Sequence, residues 1–157
     1  MIFVTIGTHN QQFTRLIKRI DEIAPAIKEK IVIQRGHTKY VPKNCESFEW
    51  TPNIGRYYDE ARLVISHGGS SVWEFVYNYK KPIIIVPRQH KFNEHMNDHQ
   101  VEFAKKFSKN ANVKAVYDVN ELTPSFLEAY NTIPKINTKN LQNLQDFLKK
   151  IIANNNP

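Results

Sequence analysis

Three short segments of this chain concentrate residues able to hold phosphate, sugar hydroxyls or a metal ion: Gly7 to His9, His67 to Glu74, and Pro87 to Gln100. In the second, HGGSSVWE, Gly68 and Gly69 leave the backbone uncovered where the apolar run LVIS gives way to a helical pattern, and Ser70 or Ser71 can cap that helix. Free amides at a helix N-terminus bind phosphate through oriented N–H groups and the positive end of the helix dipole. Glu74 stands one turn beyond Ser70 on the same face; it would repel a phosphate at contact distance but can accept hydrogen bonds from two neighbouring hydroxyls. The pair suits a nucleotide, with phosphate on the amides and ribose on Glu74. Alone, a GG-S-S turn followed by an acid is equally an ordinary tight turn with its carboxylate facing a helix dipole. The GxGxxG and GxxxxGK[ST] spacings are absent, which removes support for dinucleotide-cofactor and P-loop readings.

The third segment, PRQHKFNEHMNDHQ, follows the apolar run III and gathers Arg88, Asn93, Glu94, His95, Asp98 and Gln100 with further histidines at 90 and 99. A polar loop of this density after a strand reads as a ligand wall. His95 and His99 have the i, i+4 spacing of helical zinc ligands, with Glu94 and Asp98 as oxygen donors nearby. The HExxH order is missing and spacing supplies no third ligand, so hydrogen bonding to a sugar is favoured over metal binding. Gly7, Thr8 and His9 end the first apolar run, where a hydroxyl and an imidazole can reach phosphate or a reacting sugar. A Gly-Thr strand end is common, and gains meaning only by coinciding with the other two loops.

Elements that place three loops together are legible too. IFVTIG (Ile2 to Gly7), IVIQ (Ile31 to Gln34), SFEW (Ser47 to Trp50), LVIS (Leu63 to Ser66), IIIVP (Ile83 to Pro87) and VKAVY (Val113 to Tyr117) read as short strands, several of them fully apolar as in a sheet buried on both faces. Phe13, Leu16, Ile17, Ile20 and Ile23 recur at helical spacing with Pro25 beyond them. Strands alternating with amphipathic helices predict one Rossmann-like α/β domain, a parallel sheet flanked by helices, over residues 1–153, with 154–157 as a polar tail. Leu141, Leu144, Leu148, Ile151 and Ile152 predict a C-terminal helix packed on that domain. In such sheets, ligands sit outside the carboxyl ends of the strands, where all three segments fall.

Composition narrows the function class. A chain of 157 residues with 41% hydrophobic content is sized for one folded domain, and no apolar run reaches the roughly 18 residues of a membrane span. The N-terminus lacks the basic region and cleavage site of a signal peptide, so a cytoplasmic location is expected. Cys45 is the single cysteine, a passive thiol beside a strand. A net charge of +7 favours a phosphate-bearing partner, yet the Lys and Arg residues are scattered and no RNA- or DNA-recognition motif is present, which disfavours a nucleic-acid-binding module.

IFVTIGTHNQQFTRLIKRID, VISHGGSSVWEF and KKPIIIVPRQHKFNEHMNDHQVEFAKKF, in this order over residues 1–108, resemble the donor-binding C-terminal half of family 28 glycosyltransferases of the GT-B fold, in its free-standing form. In that family the free-standing form serves as the soluble subunit of two-component UDP-sugar transferases for dolichol-linked glycans, capsules and exopolysaccharides. The resemblance implies that the glycine loop, Gly68, Gly69, Ser70 and Ser71, holds the UDP diphosphate, Glu74 the ribose, and Pro87 and Arg88 the uracil side, with Gly7, Thr8 and His67 also at the nucleotide. It places Asn93, Glu94, His95, Asp98 and Gln100 at the donor sugar and His9 as the local candidate for the general base, unless the partner supplies one. It further implies inverting transfer of a hexose or N-acetylhexosamine, galactose or N-acetylglucosamine foremost, to a lipid-linked glycan, without metal or cofactor, in concert with a membrane-associated acceptor-binding subunit. A noncatalytic enhancer subunit would share the fold and differ by binding no donor. One departure stands out: HGGSSVWE is one residue shorter than the family pattern HAGxGSxxE.

Overall fold

The computed structural model describes residues 1–111 and 113–135. Among them, β1 (Ile2–Thr5), β2 (Ile31–Gln34), β3 (Glu46–Phe48), β4 (Leu63–Ser66), β5 (Ile83–Ile85) and β6 (Lys114–Ala115) form one parallel sheet in the order β3-β2-β1-β4-β5-β6. The helices are α1 (Thr14–Ile23), α2 (Ile54–Glu60), α3 (Ser71–Tyr79), α4 (His99–Ala111) and α5 (Pro124–Ala129). Strand order reverses between β1 and β4, so the loops after these two strands diverge and leave a crevice at the carboxyl edge, the usual ligand position in a doubly wound sheet.

The continuous apolar strands are explained by burial on both faces. Ile2, Val4 and Ile6 cluster with Leu16, Ile17 and Ile20 of α1 and Leu127 of α5. Phe3 points the other way and clusters with Tyr58 of α2, Phe75 of α3 and Phe107 of α4. β1 therefore packs against helices on both faces of the sheet, which holds the loops joining strand to helix at the carboxyl edge.

Four strand expectations are corrected in extent: IFVTIG is a strand only over Ile2–Thr5, with Ile6 and Gly7 already in the loop. The run SFEW is a strand only from Glu46 to Phe48, because its partner β2 ends at Gln34, opposite Phe48, and the chain then leaves the sheet toward α2. IIIVP is paired only to Ile85, and VKAVY shortens to Lys114–Ala115 at the sheet edge. The stripe Leu141, Leu144, Leu148, Ile151, Ile152 and the boundary at 153 lie outside the described residues. Cys45 packs part-buried against the core just before β3, and burial pushes its thiol pKa up to about 12, too high for reactivity near neutral pH.

A buried carboxylate fixes the segment after β2. Asp21 of α1 accepts from the Tyr40 hydroxyl (2.6 Å), the Lys43 amide (2.9 Å) and the Asn44 amide (2.7 Å). Burial opposes its charge, but these donors hold its pKa below the usual carboxylate range. Asp21→Ala leaves the donors unpartnered and should cost about 2–3 kcal/mol in a urea unfolding measurement at pH 7. A folded pKa below the unfolded one means that this contribution is present at neutral pH and fades as pH falls through the folded value, so parent and variant should converge in acid.

Candidate functional site

His67, immediately after β4, organises the carboxyl edge. Its amide donates to the Thr5 carbonyl at 3.2 Å and its Nδ1 lies 3.4 Å from the same oxygen. The ring is enclosed by two glycines: a Cβ on Gly7 would stand 2.8 Å from Cε1, and one on Gly69 would stand 2.9 Å from the same atom. Gly7 also takes φ +70, a left-handed conformation that costs an L side chain. The bare backbone at Gly7 and Gly69 thus serves first to seat an imidazole between the loops after β1 and β4.

The turn Gly68 to Ser70 leads directly into α3. Val72 N–H donates to the Gly69 carbonyl (3.0 Å) and Trp73 N–H to the Ser70 carbonyl (3.1 Å), a tight first turn. Ser70 occupies the N-cap with helical φ and ψ of −56° and −29° and makes no side-chain cap bond, contrary to the capping expected from sequence; the extended backbone that directs a cap hydroxyl at the helix amides is absent. With Val72 and Trp73 engaged in this way, the amides that helix geometry leaves without intrahelical acceptors at the turn are those of Gly69, Ser70 and Ser71.

Beside this turn opens a cavity of about 490 Å³, lined among others by Thr5, Gly7, Thr8, Gln34, Trp50 and Ser71, with Tyr58, Phe75 and Tyr79 behind them. A second hollow of about 400 Å³, bordered by Gly36, His37 and Glu49, shares Thr8 and Trp50 with it. Ser71, Phe75 and Tyr79 are four residues apart and present one face of α3 to the larger cavity; Glu74 stands at the i+3 position from Ser71 on the same helix. Trp50 is 65% exposed and borders both hollows. Its role was hidden in the sequence because it closes an alternating run that reads as a strand. The available signal was an aromatic placed just before Thr-Pro, where a strand must stop.

The loop after β5 behaves differently from a simple ligand wall. Pro87 and Arg88 are buried and line neither hollow. The Glu94 carboxylate is gripped by Arg15, with Nε to Oε1 and Nη2 to Oε2 both at 2.9 Å, and accepts the Gln89 amide at 3.1 Å. Gln100 Oε1 accepts the Arg88 amide at 3.1 Å. Glu94 and Gln100 therefore hold the loop's shape. Asn93, with φ 56, and Asp98, whose Oδ1 accepts the His90 amide at 2.8 Å, are exposed along the same loop. This loop meets the end of β1 through its histidines: the His9 and His95 ring centroids are 5.0 Å apart, and His95 and His99 are 4.3 Å apart. His99 opens α4 while His95 precedes it, so the i, i+4 pair is not a helical one. Among the described residues no group of three or more His, Cys, Asp or Glu is placed to hold a metal ion.

The imidazoles at this edge stay neutral. Burial, then the charge of Arg88, lowers the pKa of His67 to about 3 and depresses that of His9; burial and the neighbouring His99 and His9 lower that of His95 to about 4. A histidine with a folded pKa below its unfolded one stabilises the fold above the unfolded value near 6.5, and the stabilisation falls away as pH drops toward the folded value. The unfolding midpoint should therefore decline between pH 6.5 and 4, and His67→Gln should flatten that decline relative to the parent in a thermal series across this range.

The cavity, glycine turns and helix N-terminus at the switch point of a doubly wound sheet define a Rossmann-like α/β domain with its ligand crevice at the carboxyl edge. The chain belongs to the glycosyltransferase family 28 C-terminal domain, whose model matches residues 1–154. It is similar to the human UDP-N-acetylglucosamine transferase subunit ALG13, 32% identical over 124 residues, which cover 69% of this chain and 10% of that protein. The mouse protein of the same name is 30% identical over 120 residues, 68% of this chain and 10% of its length. The chain thus spans about a tenth of these relatives. Among solved structures, the NMR structure of ALG13 matches with a TM-score of 0.55 at 19% identity, over 91% of this chain and 93% of that one. The glycotransferase of kitacinnamycin matches with a TM-score of 0.59 at 20% identity, over 82% of this chain and 33% of that one. The last two likenesses show the fold: half of a GT-B architecture. No helix among the described residues is long and apolar enough to cross a membrane.

Proposed function

We propose that this chain is the donor-binding subunit of an inverting glycosyltransferase that moves a hexose or N-acetylhexosamine, galactose or N-acetylglucosamine foremost, from a UDP-sugar to a lipid-linked glycan of surface polysaccharide. The observation that carries this reading is the cavity between Trp50 and the start of α3, beside the glycine turn, in a family 28 C-terminal domain. Its aromatic wall suits a nucleobase, with Trp50 as the stacking surface in place of the uracil contact expected at Pro87 and Arg88. The diphosphate goes to the amides around Gly69 to Ser71 and the ribose to Glu74, next to the cavity-facing side of α3. The donor sugar then points across Gly7 toward His9, Asn93, His95 and Asp98.

In the transfer step the acceptor hydroxyl attacks the anomeric carbon, the bond to the β-phosphate oxygen breaks, and negative charge develops on UDP. Oriented amides and the α3 dipole stabilise that charge without reorganising. The hydroxyl proton needs a base; neutral His9, exposed at the end of β1, is the candidate within this chain, and a partner residue is the other source. The acceptor side of the site is supplied, in this reading, by a membrane-associated subunit at the cytoplasmic face.

Titration of the full chain with UDP tests the donor assignment. Binding is expected, and Glu74→Ala should weaken it about tenfold, the loss of hydrogen bonds to a charged acceptor. Absence of UDP binding by the chain, alone and with an acceptor-side subunit, would overturn the reading in favour of a noncatalytic enhancer.

A further inference from the structure

Arg88 has no part in the contacts just described, yet it is a fully buried guanidinium, at 0% exposure, in the middle of the site's supporting layer. It donates to the carbonyls of Ile6 (3.1 Å), Gln11 (2.8 Å), Gln12 (3.1 Å) and Glu94 (3.3 Å), and lies 4.8 Å from the Phe13 ring centroid. Its Nε has no partner among the described residues. A buried cation normally comes with a carboxylate. The adjacent one, Glu94, is already engaged at both oxygens by Arg15. Two guanidinium groups therefore share one carboxylate, Arg88 keeps only carbonyl dipoles, and the cluster retains net positive charge. Burial lowers the Arg88 pKa to about 10, which leaves it ionised at neutral pH.

The position of that charge gives it a use. Ile6, whose carbonyl it binds, precedes Gly7. The Arg88 amide is bonded to Gln100, and Gly68 adjoins Gln100, since a Cβ on Gly68 would lie 4.0 Å from the Gln100 carbonyl oxygen. The guanidinium itself sits behind the loop after β1, on the Ile6, Gln11 and Gln12 carbonyls, and its field, after burial, depresses His9, His95 and the His67 ring that is seated against Gly7 and Gly69. A charge shielded from water acts over a longer range than a surface lysine, which solvent and salt screen.

We propose that Arg88 is a fixed buried charge that draws the donor's diphosphate to the glycine turns without touching it. The proposal rests on the nucleotide reading above and deepens it, by assigning the anion affinity of the site to a residue behind its surface. The side chain does not contact the ligand, so its effect must scale with ligand charge and be indifferent to the base.

The test compares UDP with uridine on the full chain. Arg88→Gln, which keeps a donor for the carbonyls and removes the charge, should weaken UDP about tenfold and leave uridine within about twofold. Arg88→Lys should retain most of the UDP affinity. Glu94→Gln removes the negative member of the cluster and should strengthen UDP about threefold with uridine unchanged, a gain that a merely structural role does not produce. If Arg88→Gln fails to fold, Glu94→Gln decides alone. Equal losses for UDP and uridine, or weaker UDP binding in Glu94→Gln, would overturn the proposal while leaving the nucleotide reading intact; a parent chain that binds neither ligand overturns both.

Discussion

Trp50→Ala is expected to weaken UDP binding about thirtyfold, because stacking of a base on an aromatic side chain contributes roughly 1–3 kcal/mol and tenfold in affinity corresponds to about 1.4 kcal/mol. Uridine should lose the same factor, which separates this effect from the charge effect of Arg88. The indole is exposed, borders both hollows and anchors no core cluster, so its removal should leave the urea midpoint within about 0.5 kcal/mol of the parent. Trp50→Phe should recover most of the affinity, since it restores a flat apolar face. Calorimetric titration of the two variants with both ligands measures all of this. UDP affinity in Trp50→Ala equal to the parent's would place the base elsewhere, with the neighbourhood of Pro87 as the alternative to re-examine.

The fold was legible because its signals are local and repeated. Apolar runs such as Ile2–Thr5 and Ile83–Ile85 have one physical explanation when they alternate with helical spacing, a parallel sheet covered on both sides, and the clusters around Val4 and Phe3 supply those two covers. The loops after β1, β4 and β5 were legible for the same reason, as strand ends rich in Gly, His and polar residues. What the sequence did not disclose is which way each polar side chain turns. Arg88, Glu94 and Gln100 have the residue types of ligand contacts, but loops of irregular backbone carry carbonyls and amides that also need partners once buried. Arg88 supplies four such carbonyls and Gln100 one amide. Trp50 shows the converse: an aromatic in an alternating run reads as core, and only the end of β3 at Phe48 frees it to the rim of the cavity.

The same competition for partners explains the glycines. By residue type, Gly68 and Gly69 suit a phosphate cradle and Gly7 a strand end; the fold adds a tenant, the His67 ring, that Gly7 and Gly69 must both avoid. In the turn between His67 and Glu74, Ser70 already has helical angles, and α3 starts one residue after it. A ring wedged between the loops after β1 and β4 sets their separation, and with it the width of the crevice between them.

Gly7→Ala should consequently abolish measurable UDP binding, a loss of more than about a hundredfold, and lower stability by about 2–4 kcal/mol. Two causes add. A φ of +70 costs an alanine about 1–2 kcal/mol. The new methyl would also meet Cε1 of His67 at 2.8 Å and Nε2 at 2.9 Å, and the ring cannot retreat, since Gly69 closes its other side and its Nδ1 faces the Thr5 carbonyl. Relief would have to come from moving the loop after β1 away from the turn after β4, which widens the crevice where the amides must converge on the diphosphate. A double-mutant cycle separates the two causes: in a His67→Ala background the steric part disappears and only the backbone cost remains, so Gly7→Ala should then cost about half as much in a urea unfolding measurement. A cost unchanged by removing His67 would show that the left-handed backbone alone demands glycine at position 7, and that the imidazole is not the spacer between the two loops.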